Sequence, residues 1–213
     1  MLKNIYVWEF PVRLTHWLNF LSILALTVTG LYIGAPFLHA LRENQLIMAQ
    51  MRFIHFVSAY VFLASVLVRI YWWFAGNKYA RLNQFIFANS ERWKDTMDTA
   101  LFYAFLRKDI PHDAGHTGIA GLSYFFLFIL FLLEILTGFA LYSETHTGGF
   151  WTFMGGWLFS IMGTGVVRLI HHLVMWIIWI FAIVHMYIAW HNDVAERNGI
   201  MSSIFSGYKS MEE

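Results

Sequence analysis

No cysteine occurs anywhere in this chain of 213 residues. That excludes disulfides, thiolate-held iron–sulfur clusters, cysteine-rich zinc sites and covalent attachment of a cofactor through C-x-x-C-H. Charge is scarce as well. Asp, Glu, Lys and Arg make up 13% of the residues, against about a quarter in a soluble domain. A net charge of +1 and the lack of any basic run speak against a nucleic-acid partner. Nor does the N-terminus read as a cleaved signal, because its apolar run is long, starts at Trp17 and holds no small-residue cleavage motif.

Apolar residues fill the space that charge leaves, at 59% of the chain, with aromatics at 19%. Four apolar stretches are long enough to cross a bilayer: residues 12–34, 51–75, 118–142 and 166–191. Two shorter ones read as interfacial helices in loops. One covers 150–161 and is interrupted by glycines; the other covers 99–106. The expected fold is an all-α integral membrane domain over residues 1–213, a bundle of four transmembrane helices. Lys and Arg set its orientation. Lys3, Arg13, Lys78, Arg81, Arg92, Lys94, Arg107, Lys108, Arg197 and Lys209 fall on one side, against Arg42, Arg52 and Arg168 on the other. That bias places both termini in the cytoplasm. Trp8, Trp17, Trp72, Trp73, Trp151, Trp157 and Trp190 crowd the span ends, as in an interfacial belt.

Histidines mark the interior. His171 and His185 are fourteen residues apart on the last span. At about 100° and ~1.5 Å per residue they share one helix face and differ by ~21 Å in height. His16 lies at the start of the first span and His55 near the start of the second. An up-and-down topology then matches His55 with His171 at the outer level and His16 with His185 at the inner level. Ionisable residues inside a membrane are costly and point to function. Two imidazoles at one depth on facing helices can ligate a haem axially. The four histidines therefore predict two haems b, and with them a transmembrane electron path. His172 lies beside His171, turned ~100° away, and is the alternative outer ligand. Arg13, Arg52 and Arg168 each stand three residues before a histidine, one turn nearer water. There they can clamp haem propionates.

At these residues the chain resembles the b-type cytochrome subunit of membrane-bound nickel–iron (NiFe) hydrogenases, within the bacterial cytochrome b561 superfamily. The matching stretches are Arg13-Leu14-Thr15-His16-Trp17-Leu18 running on to Thr27-Val28-Thr29-Gly30, then Ile54-His55-Phe56, and Arg69-Ile70-Tyr71-Trp72 with Gly76-Asn77-Lys78-Tyr79. Thr137-Gly138-Phe139-Ala140-Leu141-Tyr142-Ser143-Glu144 and His171 through His185-Met186-Tyr187 complete the match. The resemblance implies iron ligands at His16, His55, His171 and His185, and a role in passing electrons from an extracytoplasmic hydrogenase to quinone. In the family pattern a Trp often precedes the helix-IV histidine and a basic residue follows it. Here Ile170 and His172 stand in those places.

The chain itself has no site for hydrogen. The expected partners are the iron–sulfur small subunit of the hydrogenase and, through it, the large subunit, together with membrane lipid and quinone (menaquinone or ubiquinone). A dimer of such complexes is compatible with this. The loop before the third span, His112-Asp113-Ala114-Gly115-His116, is the expected quinone site through Asp113, Gly115 and His116. Glu134, inside the third span, is expected to hydrogen-bond Thr137 or a neighbouring helix, or else to lie on a proton path. Rival readings are the cytochrome b of another periplasmic dehydrogenase of the formate type, a stand-alone cytochrome b561, or a metal-ion transporter. The transporter would line its histidine stripe with acids, and the last span has none before Asp193.

Overall fold

A computed structural model describes residues 2–37, 46–85, 90–104, 106–107, 117–146 and 148–212. They form two compact units. One is Phe10–Phe74; the other joins Met1–Glu9 to Ala75–Glu213.

The first unit is a hairpin of α1 (Phe10–Gly34) and α2 (Ile47–Ala75), which passes into the second unit at its last residue. Both helices start a few residues before their apolar runs, since Phe10-Pro11 and Ile47-Met48 continue the helix into the interface. Pro11 suits a first turn, where its missing N–H has no partner to lose. The helices are stitched by Ser65, whose hydroxyl donates to the Thr15 carbonyl at 3.2 Å.

The second unit contains α3 (Ser90–Tyr103), α4 (Gly118–Ser143) and α5 (Gly149–Trp151). A π turn (Thr152–Gly156), α6 (Leu158–Glu196) and α7 (Ile200–Ser206) follow. The span expected at 166–191 is longer at both ends. Gly163, at φ 72° and ψ 156°, interrupts α6. That conformation is one L side chains avoid. The apolar piece expected at 150–161 divides among α5, the π turn and the first turn of α6. The helix expected at 99–106 begins at Ser90 instead. The stretch before Thr99 carries Lys94, Asp95 and Asp98, which an apolar criterion passes over. The Asp95 carboxylate accepts from Gly118 N at 2.6 Å and caps α4. A Cβ at Gly118 would collide with Thr96.

Four helices (α1, α2, α4 and α6) are long and apolar enough to cross a membrane. Only 11–22% of their apolar windows is buried within the protein. Such broad apolar faces are stable against lipid and not against water, and the chain is a multi-pass membrane protein.

The polar ends hold devices that hydropathy does not reveal. β1 (Leu2–Tyr6) pairs antiparallel with β2 (Tyr208–Glu212), from Leu2 opposite Glu212 to Tyr6 opposite Tyr208. Val7 N and Trp8 N donate to the Gly207 carbonyl at 2.8 and 3.1 Å, and Trp8 Nε1 donates to Ser203 Oγ at 3.0 Å. Asn77 ties the chain leaving α2 to the chain that precedes α1. Its Nδ2 donates to the Val7 carbonyl at 2.9 Å, its backbone N donates to Glu9 Oε2 at 2.7 Å, and its Oδ1 accepts from the backbone N of Tyr79 and Ala80. Asn77→Ala is expected to cost about 1–3 kcal/mol through the unsatisfied groups left behind. Thermal unfolding in detergent should then shift down by roughly 2–4 °C for each kcal/mol. An unchanged midpoint would count against the clamp.

Candidate haem-ligand site

In the hairpin unit, His55 points its Nδ1 at Thr29 Oγ1, 2.9 Å away. The single hydroxyl proton of Thr29 is already committed, because Oγ1 donates to the Ala25 carbonyl at 2.6 Å. Thr29 must therefore accept from His55, which fixes the proton on Nδ1 and leaves the Nε2 lone pair for another partner. Gly30 lies beside the same ring; a Cβ there would approach His55 Cε1 to 3.3 Å.

The second unit repeats this arrangement. Thr137 Oγ1 donates to the Leu133 carbonyl at 2.7 Å and accepts from His171 Nδ1 at 2.9 Å. A Cβ on Gly138 would stand 3.5 Å from His171 Cε1. The same four-residue pattern precedes each ring, Arg52-Phe53-Ile54-His55 and Arg168-Leu169-Ile170-His171. Each unit is thus a helix pair in which a Thr-Gly step on one helix orients an imidazole on the other. The Thr-Gly steps were visible in the sequence as family-like residues, but their task was not. Two Thr-Gly pairs on two spans, each matched by R-x-I-H on a later span, are the signal that could have found it.

Fourteen residues beyond each of these histidines the units diverge. His171 is followed by His185 and His55 by Arg69. Thirteen residues before each Thr stand His16 in one unit and Tyr124 in the other. Each unit therefore offers one imidazole at its second level, from α1 in the hairpin and from α6 in the larger unit. Tyr124 Oη lies 3.0 Å from His185 Nδ1, and Phe181 stacks on the ring at 5.9 Å. Arg69 is only 7% exposed. A buried guanidinium on the His55 face of an apolar span is a functional candidate that the Lys/Arg count alone did not single out.

The other expected residues are placed as follows. His16 is half-buried in the second turn of α1, edge-on to Trp17 at 5.3 Å. Arg13 is half-buried, with its guanidinium 6.0 Å from the Phe10 ring. Arg52 is exposed, and Arg168 is exposed and paired with Glu144 at 3.2 Å. His172 is half-buried with its ring 6.4 Å from that of His171. Glu134 turns its carboxylate toward His171, with Oε1 at 3.5 Å from Nδ1, while its backbone carbonyl lies 3.2 Å from Thr137 Oγ1. Asp113, Gly115 and His116 lie outside the described residues.

The sequence matches the prokaryotic cytochrome b561 family over residues 7–207. The chain belongs to that family. Within it, the chain is 39% identical to the probable Ni/Fe-hydrogenase B-type cytochrome subunit of Cupriavidus necator, over all of this chain and 89% of that protein. It is 36% identical to the protein of that name from Rhizobium leguminosarum bv. viciae, over 99% of this chain and 91% of the relative. To the probable Ni/Fe-hydrogenase 1 B-type cytochrome subunit of Escherichia coli it is 35% identical, over 96% and 90%. A b-type cytochrome carries non-covalent haem, as a chain without cysteine requires. The residues suit that group. Two imidazoles are anchored through Nδ1 by a threonine hydroxyl, the arrangement of a ring that presents Nε2 to a metal, and Gly30 lies close to the His55 ring, where a Cβ would crowd it.

Proposed function

We propose that this cytochrome b561-family chain anchors a periplasmic Ni/Fe-hydrogenase in the bacterial inner membrane and carries its electrons to quinone. His55 and His171 hold one haem b on the outer side; His16 and His185 hold a second on the inner side. Haem, once bound, supplies reversible one-electron transfer. Arg13, Arg52 and Arg168 contribute positive charge near the propionates, with Arg168 also engaging Glu144. The N- and C-termini face the cytoplasm, and the loop with Asp113, Gly115 and His116 receives quinone. The iron–sulfur small subunit docks outside and delivers electrons from the large subunit.

The observation that carries this reading is the repeated threonine bond to Nδ1 of His55 and of His171. It holds each ring as a metal-bound histidine is held, through its far nitrogen. It also favours His171 over His172, for which no such anchor occurs among the described residues. The hydrogenase partner rests on the relatives' names and on similarity over nearly the whole chain.

The test is a dithionite-reduced spectrum of purified chain with haem quantified against protein. Two haems b per chain are expected, with α and Soret bands that sharpen on reduction. One haem per chain would remove one ligand pair. Absence of the bands, with transition-metal binding instead, would favour the transporter.

A further inference from the structure

The repeat that sets the two threonine anchors also sets the place of Arg69. His171 and His185 are fourteen residues apart on α6, and His55 and Arg69 are fourteen apart on α2. Fourteen steps return to within ~40° of the same helix face and rise ~21 Å. In the hairpin unit Arg69 therefore holds the position that His185 holds in the larger one. Bonds inside the hairpin fix its level independently. Thr29 meets His55, and the Thr15 carbonyl accepts from Ser65 at 3.2 Å, so the two helices run antiparallel and Ser65 lies level with the residue before His16. Arg69 is one turn further, ~6 Å nearer the C-terminal end of α2 and the start of α1. It is 7% exposed, in a buried strip with Phe62, Ser65 and Val66.

We infer that Arg69 binds a propionate of the haem held by His16 and His185. The inference rests on the ligand reading above. A charged side chain within an apolar span is costly and marks a functional position. The planar fork of a guanidinium matches a carboxylate bidentately. Its five N–H donors let a propionate join the contacts the side chain already makes. Arg69 lies one turn to the water side of His16, where a haem standing edge-on in the membrane directs its carboxylates. Arg13, half-buried and three residues before His16, is a second cation near this level. The two propionates of one haem then meet one guanidinium each. The haem at the level of His55 is ~21 Å away along the helix and beyond reach. Because Arg stays charged, it also favours the ferrous form of the nearby haem, which carries one positive charge fewer than the ferric form.

The experiment is a redox titration of the purified chain, followed at the α band as two one-electron components. The inner component is identified as the one missing from His16→Ala. In Arg69→Gln, which removes the charge, the inner component should titrate lower. At a fixed ambient potential its reduced-to-oxidised ratio should fall about tenfold, equivalent to 59 mV for one electron, and the outer component should stay in place. The propionate bending band of the inner haem in resonance Raman spectra should shift in the same variant. Arg69→Lys, which keeps the charge and loses the fork, should titrate between Arg69→Gln and the natural chain. An unmoved or raised inner component in Arg69→Gln, or an unmoved propionate band, with both haems present, overturns the inference. If Arg69→Gln lacks the inner haem, Arg69→Lys decides: recovery of that haem supports the inference, and failure to recover it overturns it. Retention of two haems in His16→Ala would instead show that the ligand reading itself has failed.

Discussion

Replacing His55 or His171 by alanine is expected to remove one of two haems per chain and to abolish hydrogen-dependent quinone reduction by the assembled complex. Hydrogen oxidation with a soluble dye should continue at its normal rate, because the chain has no cysteine to hold a nickel–iron centre or thiolate-bound clusters. The expectation is steep because an axial ligand is not graded. On the proposed reading, the threonine acceptor holds the proton on Nδ1 and so sets which nitrogen would face iron. His172 is the one imidazole close enough to raise the question. It points ~100° away from His171 along the helix. His172→Ala should therefore keep both haems and both activities. The reading fails if His172→Ala loses the outer haem while His171→Ala retains it, or if dye reduction disappears together with quinone reduction in assembled complex.

Gly155→Val is expected to be strongly destabilising in the larger unit. Gly155 sits in the π turn against α4. A Cβ there would lie 2.6 Å from Ala140 N and 2.8 Å from the Leu136 carbonyl, both backbone atoms that cannot turn aside. The neighbouring core of Ala140, Leu158 and Val167, with Leu136, Leu141, Phe159 and Met162 packed on it, leaves α4 no room to retreat. Overpacking a tight core costs about 1–3 kcal/mol, and more when backbone must move. A loss of about 3 kcal/mol or more is expected here, read as a fall in the thermal midpoint in detergent. Thr137 lies on the same stretch of α4, so the His171 anchor should loosen too, seen as weaker haem retention. Gly149→Val is the control, since nothing lies within 4 Å of a Cβ there. Equal melting of the two variants would refute the packing argument.

The spans and the histidine stripe were legible because lipid makes them so. Hydropathy alone locates four helices, and the 100° step of a helix alone puts His171 and His185 on one face. The second sphere was not legible. Thr29 and Thr137 are small polar residues in apolar helices, where a hydroxyl bonded back to its own turn is commonplace. Only a partner on another helix, 26 or 34 residues away, reveals their task. Asn77 was visible as a family-like residue, yet its bonds reach 68 to 70 residues back to Glu9 and Val7, which no local pattern encodes. The strands at the two ends escaped for the same reason. Five residues such as LKNIY become a strand by finding YKSME, a choice made across the whole length of the chain. Glu134 was seen as an acid in an apolar helix, but its neighbour His171 could not be assigned from spacing alone.

The antiparallel ribbon at the chain's ends has a practical consequence. Since Leu2 lies opposite Glu212, with Lys3 opposite Met211 beside them, the first and last strand residues emerge side by side. Two halves of a split fluorescent reporter, one fused ahead of Leu2 and one after Glu212, would meet on a single molecule with no second protein to bring them together. Their glow would mark closure of the protein's own seam, and its fading on heating would show when that seam parts.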